Sequence, residues 1–119
     1  MTPSDFPLVA SMPMPTLDAL VSGLPVAASE IENIYPLTSG QQGMLVECTI
    51  APATEVNVVQ TLVQMQDLDI ARLRVAWQAT VARHAVLRTG FHWLPDHEPV
   101  QVVLRQAEAA IESLDWRGR

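Results

Sequence analysis

The clearest periodicity in the chain runs from residue 69 to residue 84. Ile70, Leu73, Trp77, Val81 and His84 recur at helical spacing along one stripe, while Arg72, Ala79 and Arg83 point away. This predicts an amphipathic helix begun by Asp69, whose carboxylate suits the positive end of the helix dipole. Residues 56–66 alternate instead. Val59, Val63 and Met65 share one side, and Val56, Val58 and Leu62 the other, which predicts a strand covered on both faces. Two further alternating runs follow. Leu87, Thr89, Phe91 and Trp93 oppose Arg88, Gly90 and His92, and Val100, Val102 and Leu104 oppose Gln101, Val103 and Arg105. The turn residues 94–98 between them predict a β-hairpin. Residues 111–114 read as one more short strand, and Asp115 as a cap with no helix behind it.

Earlier in the chain, Thr38 and Gln41 have the spacing of a capping box. A helix is expected from there to about Ile50, held mainly by packing, because Gly40 and Gly43 each cost it roughly 1 kcal/mol relative to Ala. Residues 1–29 differ in kind. They hold five of the nine prolines and only two charged residues, Asp5 and Asp18. Proline fixes φ and donates no backbone hydrogen bond, so residues 2–15 should be extended or irregular. A helical turn is expected over 16–21, with Leu17, Leu20 and Val21 on one side and Gly23 and Pro25 as its stop. We read 1–29 as a Pro-rich interdomain linker that packs on something else, and 30–119 as the domain proper. Helices interleaved with strands give an α/β class, in the α+β two-layer sense.

Composition narrows the function classes. At 119 residues the chain is one domain at most, and 49% hydrophobic residues are enough to build a core. A net charge of -6 with no lysine speaks against nucleic-acid binding, which needs clustered cations. The lone Cys48 cannot make an internal disulfide, so a reducing, cytoplasmic setting is expected. No apolar run reaches the roughly 18 residues of a membrane span. The N-terminus has no basic segment followed by an apolar stretch, so no leader is expected.

Two segments carry a resemblance. Tyr35-Pro36-Leu37-Thr38-Ser39-Gly40-Gln41-Gln42-Gly43-Met44-Leu45 resembles the first core motif of nonribosomal peptide synthetase condensation domains, and its Gln-Gln-Gly-Met-Leu string is similar to peptide-accepting subtypes. Arg83-His84-Ala85-Val86-Leu87-Arg88-Thr89-Gly90-Phe91 resembles the second, RHExLRTxF, with Ala85 in place of the glutamate. Gly43 stands where the first motif often has arginine. Residues 2–8 resemble the tail that joins one such domain to the next. The resemblance implies a chloramphenicol-acetyltransferase-like fold of two halves around a tunnel. It implies amide formation between an acyl group and an amine, each a thioester on the phosphopantetheine arm of a carrier domain. The chain itself would bind no cofactor; its partners would be carrier domains and the rest of the condensation domain, with no nucleic acid or membrane.

The family's catalytic HHxxxDG does not occur in these residues, where His84, His92 and His97 are the only histidines. The chain is therefore expected to be the N-terminal half-domain fragment, cut before that motif and silent alone, with no catalytic residue of its own. The resemblance implies active-site bracing by Arg83, His84, Arg88 and Thr89, with Arg88 favoured to pair with the missing aspartate and expected to stay hydrated without it. It also implies that Thr38, Gln41 and Gln42 build the first-motif helix. The bland readings stand beside these: His84 as a core histidine, Cys48 as a buried small hydrophobe, Trp77, Phe91 and Trp93 as core, and His92, Asp96 and His97 as solvated turn residues rather than metal ligands. Gly90 reads as a site of close strand packing. The alternative function is a non-catalytic docking module that complements a separate chain.

Overall fold

The computed structural model describes residues 2, 5–6, 9, 11–50, 58–92 and 97–118. Three helices and three strands follow in the order α1 (Met14–Gly23), β1 (Ile31–Pro36), α2 (Ser39–Ile50), α3 (Ile70–Arg83), β2 (Thr89–His92) and β3 (Val100–Leu104). Short 3₁₀ turns occupy Ala28–Glu30 and Ala85–Arg88. The strands form one antiparallel sheet of order β1-β3-β2. The class is therefore α+β, as expected.

The hairpin is borne out: Thr89 pairs with Val103, Gly90 with Val102, Phe91 with Gln101 and His92 with Val100. Its first strand starts later than the alternation suggests. Leu87 N donates to the His84 carbonyl at 3.0 Å and Thr89 Oγ1 to the Ala85 carbonyl at 2.8 Å, so residues 85–88 close into a turn instead. Trp93 and Asp96 lie outside the described residues.

The third strand, β1, has no counterpart in the sequence reading. Its apolar residues Ile31 and Ile34 are three apart, which breaks strand alternation, yet both are fully buried in the same cluster. A β-bulge reconciles the two. The register passes from Ile31 opposite Leu104 to Asn33 opposite Val103, so Glu32 is the inserted residue. Past the bulge, Ile34 pairs with Val102 and regular alternation resumes.

That face of the sheet carries the core. Ile31, Ile34, Val100 and Val102 pack with Phe6, Val9, Leu17 and Leu20 from the proline-rich zone. The zone thus packs on this sheet. It is also more regular than expected, since α1 begins at Met14. Proline is tolerated in a first helical turn, whose amides have no intrahelical partner, so Pro15 starts the helix instead of delaying it. Leu24, extended and bonded through its amide to the Val21 carbonyl, ends it as Gly23 and Pro25 suggest.

The capping box is borne out. Thr38 N donates to Gln41 Oε1 at 2.9 Å, and Gln41 N approaches Thr38 Oγ1 at 3.4 Å. Helix α3 also matches its prediction, with Asp69 Oδ1 accepting from Arg72 N at 3.0 Å. Its stripe is not a core, however. Only Val81 is buried, and Trp77 keeps 44% of its surface exposed. The sheet's apolar face is filled by α1, and nothing among the described residues covers α3's apolar side. Phe91 is likewise exposed at 44%, and His84 and Cys48 are exposed.

The strand expected over 56–66 is corrected as far as the structure describes it. Residues 58–66 have no ladder partner and lie exposed, Val59 at 90%. Alternation alone does not make a strand: a ladder partner is also needed, and neither edge strand, β1 or β2, supplies one among the described residues. Val56 lies outside the described residues. No strand forms at 111–114 either. Instead the Gln78 side chain of α3 holds the chain after β3, donating to the Ala107 carbonyl at 2.9 Å and accepting from Ala109 N at 2.8 Å. No described helix is long and apolar enough to cross a membrane.

Two outcomes follow for measurement. Leu17→Ala should destabilise the chain by about 3 kcal/mol, the usual cost of a buried Leu cavity, while the exposed Ala19→Ser on the same helix should cost under about 1; urea midpoints of the two compare them. At the other end, Asp115 accepts from Arg117 N and from its guanidinium, at 3.0, 2.9 and 2.7 Å, and these bonds hold its carboxyl below the ordinary value of 3.8. A lowered folded pKa means the turn is fully formed above the ordinary value and lost as pH falls through the lower one. The Asp115 carboxyl carbon shift in an NMR titration should therefore have its midpoint below 3.8, and Arg117→Ala should return it upward.

Candidate functional site

The two motif segments are fastened to the same sheet, near opposite ends of its central strand β3. In the first, Gln41 of α2 reaches Gln101 on β3. The two amides pair reciprocally: Gln41 Nε2 donates to Gln101 Oε1 at 3.0 Å, and Gln101 Nε2 to Gln41 Oε1 at 2.9 Å. Gln101 Nε2 also approaches the Pro36 carbonyl at 3.1 Å. The Thr38 hydroxyl adds a bond to Gln41 Oε1 at 3.0 Å. One half-buried amide thus closes the helix cap and fastens the helix to the central strand. Gln42 is exposed, and its amide makes the first helical bond, to the Thr38 carbonyl at 2.9 Å. Beside the clasp, Gln41, Met44, Leu45, Cys48 and Phe91 line a small, almost wholly apolar hollow of about 170 Å³.

The second motif centres on Arg88, which sits at the end of the 3₁₀ turn with a side chain only 7% exposed. Its Nε donates to the Val81 carbonyl at 3.2 Å, and Nη1 donates to Glu32 Oε2 at 2.6 Å and to the Leu104 carbonyl. Val81 lies in the last turn of α3, where helix carbonyls lack intrahelical partners and a cation is favoured. The expected hydrated, unpaired Arg88 is corrected. The acid at the β1 bulge gives the guanidinium a counter-charge, and two carbonyls accept from its Nε and Nη1, so it can be buried.

The other named residues separate from these two groups. Arg83 and His84 are exposed at the end of α3, where the His84 amide caps the helix through the Thr80 carbonyl at 3.1 Å. His84 therefore is not the expected core histidine, although Val81 of the same stripe is buried. Thr89 is half-buried at the start of β2. At Gly90 the crowding is real, but its source is the His92 ring on the same strand, 3.0 Å from where a Cβ would sit. Among the described residues no three His, Cys, Asp or Glu side chains could hold one metal ion. Glu32 and Gln101 are site residues that sequence reasoning missed. Gln101 is the one polar residue of an otherwise apolar strand, and Glu32 the one charged residue of β1, and that is the signal that could have found them.

An α+β unit whose two motif segments are fastened to one sheet defines the class of protein; the comparisons supply the family. The Condensation domain family model matches residues 31–118. One of the linear gramicidin synthase proteins of Brevibacillus parabrevis is 39% identical over 116 residues, covering 98% of this chain and 2% of that protein. A second protein of the same synthase is 40% identical over 116 residues, covering 98% and 1%. The nonribosomal peptide synthetase ungA' of Aspergillus campestris is 33% identical over 115 residues, covering 90% and 1%. No solved structure matches the chain significantly. The chain belongs to the condensation domain family and spans only 1–2% of the length of these relatives.

The amide clasp generates a prediction. Gln41→Ala and Gln101→Ala should each destabilise the chain by about 1 kcal/mol, and the double variant by less than the sum of the two. Denaturation midpoints of the four proteins give the coupling; strict additivity would mean that the clasp contributes nothing.

Proposed function

We propose that the chain is the N-terminal part of a nonribosomal peptide synthetase condensation domain with a chloramphenicol-acetyltransferase-like fold. In the whole domain its role is amide-forming acyl transfer in the cytoplasm. The acceptor amine attacks the donor thioester carbonyl, a C–N bond forms, the C–S bond breaks and the donor carrier's thiol leaves. Donor and acceptor ride on phosphopantetheine arms of partner carrier domains, and the chain holds no cofactor itself. The observation that carries this reading is the joint anchoring of both motif segments, through Gln41 and Arg88, on the family-matched sheet.

Within this reading the chain supplies position rather than proton transfer. HHxxxDG is absent from its residues, and His84 sits exposed at a helix end with no nucleophile assigned to it. Orientation of two bound reactants can remove roughly 7–11 kcal/mol of barrier, so a wall that fixes the tunnel is a substantial contribution. Arg88 is the residue we assign to bracing the site, with Thr89 beside it. Residues 1–29 would be the interdomain joint, with Phe6, Val9, Leu17 and Leu20 packed on the sheet it precedes.

The test is a graft. All 119 residues replace the matching 116-residue segment of the linear gramicidin synthase protein that is 39% identical, and mass spectrometry follows the acceptor carrier. Dipeptidyl product from the graft, and none above background from the 119-residue chain alone, is the expected outcome. A well-folded graft that forms no product would overturn the reading.

A further inference from the structure

Glu32 lies in neither motif, yet it is the only acid at the buried guanidinium among the described residues. Its position has a backbone cause. Ile31 and Ile34 both enter the core, and the bulge that allows this leaves Glu32 as the unpaired residue of β1. A bulge re-aims a side chain. Here the carboxylate, 42% exposed, reaches Arg88 Nη1 at 2.6 Å. The carbonyls of Val81 and Leu104 accept hydrogen bonds from the guanidinium but do not neutralise it. A buried arginine held by carbonyls alone keeps an uncompensated charge and drifts toward water.

We propose that Glu32 is a positioning residue for the second motif. Its carboxylate fixes the setting of the Arg88 guanidinium. The bonds among the described residues run through Nε and Nη1, so this setting decides that Nη2 is the edge presented to the rest of the domain. The bulge and the acid act together: without the bulge, Glu32 could not lie between two core residues and still meet Arg88. The kinetic consequence rests on the condensation-domain reading; the geometric one does not.

The experiment has two arms. In the 119-residue chain, NMR exchange of the Arg88 Nε–H is compared between the parent, Glu32→Gln and the exposed control Glu112→Gln. Exchange about tenfold faster in Glu32→Gln alone is expected, with partial restoration in Glu32→Asp. In the graft, Glu32→Gln should lower kcat about tenfold and leave KM for the acceptor carrier unchanged, as misplacement of a bracing group would. Unchanged Nε–H exchange would overturn the proposal, as would a parental kcat for Glu32→Gln in an active graft. If the graft is inactive with Glu32 intact, the functional reading fails, and the exchange arm alone decides the role of Glu32.

Discussion

The burial of one guanidinium ties together most of what is ordered here. Arg88 touches the end of α3, the bulge of β1 and the end of β3, three places far apart in sequence. The contacts use an orphan carbonyl in a last helical turn, a strand-end carbonyl and a carboxylate thrown out of register. Removing the cation would expose all three at once. Breaking a buried ion pair from one side commonly costs about 3–5 kcal/mol, and the half-exposed Glu32 places this pair toward the lower end. The remaining architecture depends on that junction. The turn at 85–88 delivers β2 to the sheet, and the sheet in turn receives α1 on its apolar face.

How far this was legible in the sequence depended on whether local chemistry or tertiary context decided each element. The Thr38–Gln41 box and the Asp69 cap are local, and both formed where the spacing placed them. The hairpin is nearly local and also formed. β1 was invisible because Ile31 and Ile34 break alternation, and a bulge leaves no mark in a period-two reading. Residues 58–66 failed in the opposite way. Their alternation is sound, but a strand also needs a partner ladder, and that is a property of the sheet rather than of the segment. Arg88 was placed on a polar side by periodicity, which cannot register a counter-charge 56 positions away.

The candidate site divides along the same line. The motif strings singled out Gln41 and Arg88, two side chains that hydrogen-bond to the sheet. Their partners, Gln101 and Glu32, belong to no string. They mattered because they face the right neighbour, which only the register β1-β3-β2 establishes. Motif residues are legible as chemistry; the residues that hold them are legible only as geometry.

The exposed apolar surface follows from this division. Leu73 and Trp77 on α3, and Val59, Leu62 and Val63 in the alternating segment that found no ladder, are large apolar side chains left exposed. The core explains why they stay outside. One sheet face of three short strands is filled by Phe6, Val9, Leu17 and Leu20, and the other carries Gln101, the buried Val103 and the Arg88 junction. Polar clasps, beside the few buried apolar residues Leu37, Val81 and Val103, fasten α2 and α3 to the rest of the fold. Such clasps specify position well but bury little area, so the helix stripes keep their hydrophobic faces free. Under the reading proposed above, this combination, motifs fixed in place by hydrogen bonds beside uncovered apolar faces, is what a tunnel wall completed by other elements would need.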